Sequence, residues 1–256
     1  MDNSLKKKYI NIALIIAIVL LIENIPFSLF IKNIYIIELF RITLAIGSII
    51  YYFYYMKKEA LNKPILKRLG YKDLSLLPFL LLPFSNIIVA FISSFSIKSP
   101  DIALLVLEIG LELAIATVEE LLFRSLLLTS LENDFNKFKA LIYSSVIFGL
   151  MHLLNISSIE SIIPSLIQVL YTTGLGLALG LIYLKSKNIL LSISLHFLFN
   201  YFNNTIPSLL FSFEWNNIFY IVNSIFAIAF IAYGIIIYFN YKEESYASKN
   251  LDFWYI

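Results

Sequence analysis

The chain has 256 residues, of which 60% are hydrophobic and 14% charged, with a net charge of +2 and no cysteine; mean hydropathy is +0.84. Soluble domains sit nearer half apolar and a quarter charged, so the composition is that of a polytopic membrane protein. It excludes disulfide and thiolate chemistry, and the small net charge implies no nucleic-acid partner.

A transmembrane helix needs about 20 mostly apolar residues. Runs of roughly that length fall at 9–31, 34–56, 74–97, 102–131, 138–155, 161–184, 188–211 and 216–240. None alternates long enough for a barrel wall. The predicted fold is therefore all-α, a polytopic membrane helix bundle of about eight spans. Residues 1–100 hold the first three helices, 101–211 a polar-bearing helix core, and 212–256 the last helix and a tail.

The first run follows Lys6, Lys7 and Lys8 without a small-residue cleavage site, and reads as a retained signal anchor. The second carries Glu38 and Arg41, three apart and suited to neutralise each other, and ends in YYFYYMKK, an aromatic belt. The sixth carries Gly174, Gly176 and Gly180, a close-packing surface that has no strand before it and is no nucleotide loop. Trp215 fits the outer interface, and the tail from 241 is short, polar and aromatic.

Eight spans put both termini on one side. On the predicted cytoplasmic side fall Lys6, Lys7, Lys8, Lys57, Lys58, Lys63, Lys67, Arg68, Lys72, Lys137, Lys139, Lys185, Lys187, Lys242 and Lys249. Only Lys32 and Lys98 fall opposite, as the positive-inside rule requires. The expected location is a cell membrane, with the lipid bilayer as the first partner; the Ile/Asn/Lys/Tyr-rich composition points to a bacterial plasma membrane.

Charges inside apolar spans are functional by default. The fourth span carries Glu108, Glu112, Glu119, Glu120 and Arg124, the fifth carries FGLMH at 148–152, and the seventh HFLFN at 196–200. Both histidines of the chain lie inside spans. Glu120 and Arg124, four apart, form a helical ion pair, whereas Glu119 is rotated about 100° away and faces something else. Counted from the cytoplasmic helix ends at about 1.5 Å per residue, Glu119, His152, His196 and Asn200 all lie roughly 13–20 Å deep. His196 and Asn200, i and i+4, share one face. A desolvated glutamate can serve as general base, an imidazole can orient water, and an imidazole with an asparagine amide can stabilise an oxyanion. That set suffices for amide hydrolysis without a covalent intermediate. Glu108 and Glu112 match no motif and are read as packing or cavity lining.

EELLFR, FGLMH and HFLFN resemble the E-E-x-x-x-R, F-x-x-x-H and H-x-x-x-N signatures of the CAAX prenyl endopeptidase and bacteriocin-processing (Abi) family of intramembrane proteases. The resemblance covers roughly residues 100–205. It implies Glu119 as the water-activating base assisted by His152, Glu120 and Arg124 as a structural pair, Phe148 as motif packing, and His196 with Asn200 as oxyanion stabilisers. It further implies a peptide or small-protein substrate, possible links to bacteriocin or pheromone maturation, and no cofactor. Zinc is the mechanistic alternative, because a glutamate and two histidines can ligate it, although no H-E-x-x-H is present. The functional alternative is a non-catalytic immunity or sensor-regulator protein. A transporter lacks support, because neither an inverted repeat nor paired broken helices are visible.

Overall fold

A computed structural model describes residues 3–59, 61, 64–68, 99–156 and 162–210, and, further on, 222, 224–226, 228–229, 231–236 and 238–239. Helix α1 spans Asn3–Glu23 and α2 Ile34–Lys58. Helix α3, Ile102–Glu120, runs without a break into a π-helical segment, Leu121–Leu128, and then into α4, Thr129–Asp134. Helix α5, Lys137–Met151, closes in a 3-10 turn, His152–Asn155. Helix α6 spans Ile162–Ser186. Helix α7, Ile189–Asn200, passes through a second π segment, Tyr201–Thr205, into α8, Ile206–Leu210. Among the described residues every regular element is helical, apart from an isolated bridge between Leu66 and Asn188.

Four helical stretches are long and apolar enough to cross a membrane: Lys6–Leu29, Ile34–Lys58, Lys137–Asn155 and Ile162–Ser186. They coincide with four of the expected runs. The runs expected at 102–131 and 188–211 are also helical rods, but the first is rich in charge and both are interrupted by π turns. The run expected at 74–97 lies outside the described residues, as do Lys72, Lys98, Trp215 and the tail. The run at 216–240 is described in part, with an apolar helix over Ser224–Ile236.

Helix starts follow from asparagine and aspartate caps. Asn33 accepts from the backbone of Tyr35 and Ile36, Asp101 from Leu104, Asn136 from Lys139 and Asn188 from Leu191. Each such cap is worth about 1 kcal/mol by satisfying an amide the helix leaves unpaired. Asn136 and Asn188 set where α5 and α7 begin, and hence the level at which their histidines stand.

Helix α6 is central, with the whole stretch from Gly174 to Leu184 buried. It packs on α5 through glycine. Gly176 faces the Ser145 backbone and the Phe148 ring at 3.1–3.2 Å from where a Cβ would sit, and Gly180 faces Leu141. The predicted small-residue surface thus joins α5 to α6. A third glycine, Gly149, is tighter still: a Cβ there would run into the Thr173 hydroxyl and come 2.8 Å from the Val169 carbonyl. Gly149→Ala is therefore expected to lose ~1–3 kcal/mol through overpacking, read as a lowered Tm in detergent. Gly47→Ala, with open space around it, should leave Tm within error, and an equal effect of the two would refute the packing argument.

The aromatic belt divides. Tyr51, Phe53 and Tyr54 are exposed, but Tyr52 turns inward and donates to the Ser125 hydroxyl at 2.7 Å. The segments predicted to share one side do gather at one end. Lys8 Nζ and the Tyr9 hydroxyl meet Asp134 Oδ2 at 2.8 and 2.6 Å, and their hydrogen bonds hold the Asp134 carboxyl below its usual range. Lys137 and Lys187 approach Glu132 at 3.7 and 3.6 Å, and Lys67 N–H donates to the Lys187 carbonyl.

Candidate active site

Glu119 and Glu120 are the last two residues of α3 before it widens into the π segment, and Asn200 is the last of α7 before the second one. Short π segments inside α-helices occur frequently at functional sites. Each leaves backbone carbonyls looking for partners, and here side chains supply them. The Ser144 hydroxyl donates to the Phe123 carbonyl at 3.0 Å, and the Thr129 hydroxyl to that of Arg124 at 3.1 Å. All eight residues of the first π segment are buried, so the irregularity is packed on every side.

The predicted pair forms. Arg124 Nε lies 3.2 Å from Glu120 Oε2, both side chains being fully buried. The contact is an ion pair without an aligned hydrogen bond, because none of the guanidinium nitrogens meets an acceptor with hydrogen-bond geometry. Arg124 stands within the π segment. Its charge rests instead on the face of Phe148, 4.5 Å from the ring centre, an arrangement worth about 2 kcal/mol when desolvated. The same ring stands edge-on to His152 and His196, with centroids 5.3 and 5.7 Å away. Phe148 therefore spaces both histidines and carries the arginine.

Glu120 departs from the expected arrangement. Glu120 is not confined to its own helix, since its Oε1 also meets His196 Nδ1 at 2.9 Å. His196 Nε2 in turn faces Glu119 Oε2 at 3.4 Å. One buried imidazole thus bridges the two adjacent glutamates, a contact between residues 76 apart that no local spacing could reveal. An ionised Glu120 only accepts, so Nδ1 carries a proton. A protonated Nε2 would be the favourable form beside the Glu119 oxygen, since a bare lone pair there would repel it.

His152 sits just past the end of α5, where its Nδ1 meets the Phe148 carbonyl at 3.1 Å. Since a carbonyl only accepts, Nδ1 carries the proton and Nε2 is left as an acceptor. Glu119, His152, His196 and Asn200 all line one cavity of about 210 Å³, room for several waters at ~30 Å³ each. Glu119 is partly exposed to it while Glu120 is sealed away. Arg124 does not line it.

Sequence reasoning missed part of the wall. Arg41, Asn24, Asn155, Gln168, Tyr171 and Thr172 also line the cavity. Arg41 is paired with Glu38 at 3.0 Å as expected, and Asn155 donates to Gln168 at 2.8 Å. Gln168 and Thr172, i and i+4 in an apolar span, were the available signal. Glu112, read as packing or cavity lining, does not line the cavity and accepts from the Thr205 hydroxyl at 3.3 Å.

Residues 101–202 match the family model for type II CAAX prenyl endopeptidases, Rce1-like. This segment belongs to that family. No curated protein and no solved structure matches the chain. The matched range begins at the cap of α3 and ends inside the second π segment, so it contains all four cavity-lining motif residues. The matched segment is similar to a protease family, and the chain carries helices long and apolar enough to cross a membrane. Among the described residues no three histidine, aspartate or glutamate side chains come together as metal ligands.

Proposed function

We propose that the chain is an intramembrane endopeptidase that hydrolyses a peptide bond in a membrane-associated protein or peptide precursor, using water activated by Glu119. The observation that carries this reading is the single cavity onto which Glu119, His152, His196 and Asn200 converge from three helices. In this mechanism the Glu119 carboxylate takes a proton from water while His152 Nε2 accepts the water's other hydrogen and orients it. The hydroxide adds to the scissile carbonyl, and the negative charge that develops on oxygen is met by the Asn200 amide and by the proton held at His196 Nε2. The proton on Glu119 then passes to the departing amine as the C–N bond breaks. Glu120 holds His196 by Nδ1 throughout and takes no proton from substrate.

Eight spans with both termini in the cytoplasm complete the proposal. The charge segregation of the sequence and the meeting of Lys8, Asp134, Lys137 and Lys187 at one end support it. The reaction would then be reached from the inner leaflet of a bacterial plasma membrane. The test is comparative peptidomics of cells producing the wild type or Glu119→Gln. Peptides released only by the wild type are expected, and identical peptide pools with an unchanged cellular phenotype would favour a binding protein instead.

The proposed mechanism needs no metal. Chelator-treated protein, checked metal-free by elemental analysis, is expected to retain full cleavage. Loss of activity restored by added zinc would replace Glu119 as base with a metal-bound water.

A further inference from the structure

Arg41 is a cation that the proposed chemistry leaves unused. Among the described residues it is the one lysine or arginine on the cavity wall, and it stands on α2, outside the matched segment. Its Nη1 donates to Glu38 Oε2 at 3.0 Å, and among the described residues Glu38 is the one acid within ion-pair range of it. The pair is lopsided. The Glu38 side chain is 5% exposed and that of Arg41 36%, so the acid is sunk in the protein while the guanidinium borders open space. A guanidinium carries five N–H donors in a planar fork, and Glu38 takes one of them.

An arginine does not give up its proton near neutral pH, so Arg41 does no acid–base work. Neutralising a glutamate does not require opening onto a cavity either, since Glu120 and Arg124 pair with both side chains fully buried. A charge inside an apolar span is functional by default, and the fork of a guanidinium matches the two oxygens of a carboxylate. With Glu38 bound to it and the Glu119 carboxylate on the same cavity wall, the surroundings suit a singly charged anion better than a phosphate dianion. We propose that Arg41 is a specificity-determining residue that binds a carboxylate of the substrate peptide, at the chain terminus or on an acidic side chain. Glu38 holds the guanidinium by Nη1 and leaves its remaining N–H groups to the substrate. This rests on the endopeptidase reading above, and gives Arg41 no contact with the attacking water or the scissile carbonyl.

Peptide binding to the purified full chain carrying Glu119→Gln, followed in detergent by fluorescence anisotropy, tests this. The probes are labelled peptides ending in S-farnesylcysteine and three apolar residues: the free acid, the C-terminal amide, and that amide with one of the three residues replaced by glutamate. An acidic probe should bind ~10–100-fold tighter than the uncharged amide, the range of a hydrogen bond to a charged group. A gain for the free acid assigns the terminal carboxylate, and a gain for the glutamate probe assigns a side chain. Adding Arg41→Gln should abolish the gain while leaving affinity for the uncharged amide within about twofold, and Arg41→Lys should keep part of it. Because Arg41→Gln leaves Glu38 without its partner, the comparison is repeated with Glu38→Gln and Arg41→Gln combined, which strands no charge. Where Glu119 is intact, Arg41→Gln should raise KM for the preferred probe ~10–100-fold and hold kcat within about threefold, as for binding shared by ground and transition states. Absent binding, equal affinity for acids and amide, a gain that survives in both Arg41→Gln backgrounds, or a fall in kcat at constant KM would overturn the carboxylate site. The affinity comparison needs no cleavage, so it decides Arg41 separately from the protease reading, which stands or falls on the peptidomics above.

Discussion

Glu119→Gln is expected to lower peptide cleavage by ~10³-fold or more while leaving Tm within a degree or two of wild type. General-base catalysis alone supplies about 10²–10⁴-fold, and an amide in place of the carboxylate cannot take a proton from water. Stability should survive because Glu119 is the partly exposed member of the pair, facing the cavity. Its amide can still contact His196 Nε2. Glu120→Gln makes the contrast. That side chain is fully buried between Arg124 and His196, so its loss should lower both Tm and activity. Kinetics and thermal unfolding of the two variants, measured in parallel, separate the two glutamates by role. A Glu119→Gln protein with wild-type turnover would end the proposed mechanism.

The second large effect is structural. Arg124→Met should destabilise the bundle by about 3–5 kcal/mol, the range for removing one member of a buried ion pair. The change strands Glu120 with His196 as its sole remaining ionic partner and strips the cation from the face of Phe148. Arg124→Lys should fall between, since a lysine head cannot spread over the ring as a guanidinium does. Combining Glu120→Gln with Arg124→Met should recover part of the loss, because the double variant leaves no uncompensated charge from this pair. Thermal unfolding in one detergent checks all three. Wild-type Tm for Arg124→Met would show that the pair carries no load in the folded chain.

The residues themselves made much of the site legible, for a specific reason. In a lipid-embedded helix nearly every position is apolar, so the exceptions announce themselves: EELLFR, FGLMH and HFLFN stand out against Leu, Ile and Phe. A helix rises evenly along its axis. Once Asn136 and Asn188 start their helices, counting residues is measuring height, and His152, His196 and Asn200 do meet Glu119 at one cavity. The Glu38–Arg41 and Glu120–Arg124 pairs were readable because i, i+3 and i, i+4 contacts are local.

What stayed hidden depends on contacts across the chain or on turns with no signature of their own. LLFRSLLL looks like any apolar helix, and nothing in it foretells a π segment. That segment is held by Ser144 and Tyr52 from other helices, through Phe123 and Ser125. Arg124, within it, rests its guanidinium on Phe148 and aligns no hydrogen bond.

By itself the sequence determined that this chain is a helical membrane protein, which helices bear charge, and which polar residues stand level with one another. Composition and a fixed rise per residue are enough for that. The tertiary structure alone decided that His196 bridges both glutamates, that Phe148 carries Arg124, and that Thr205 reaches Glu112. These choices belong to how helices rotate and pack against each other, and rotation is set by side chains distant in sequence.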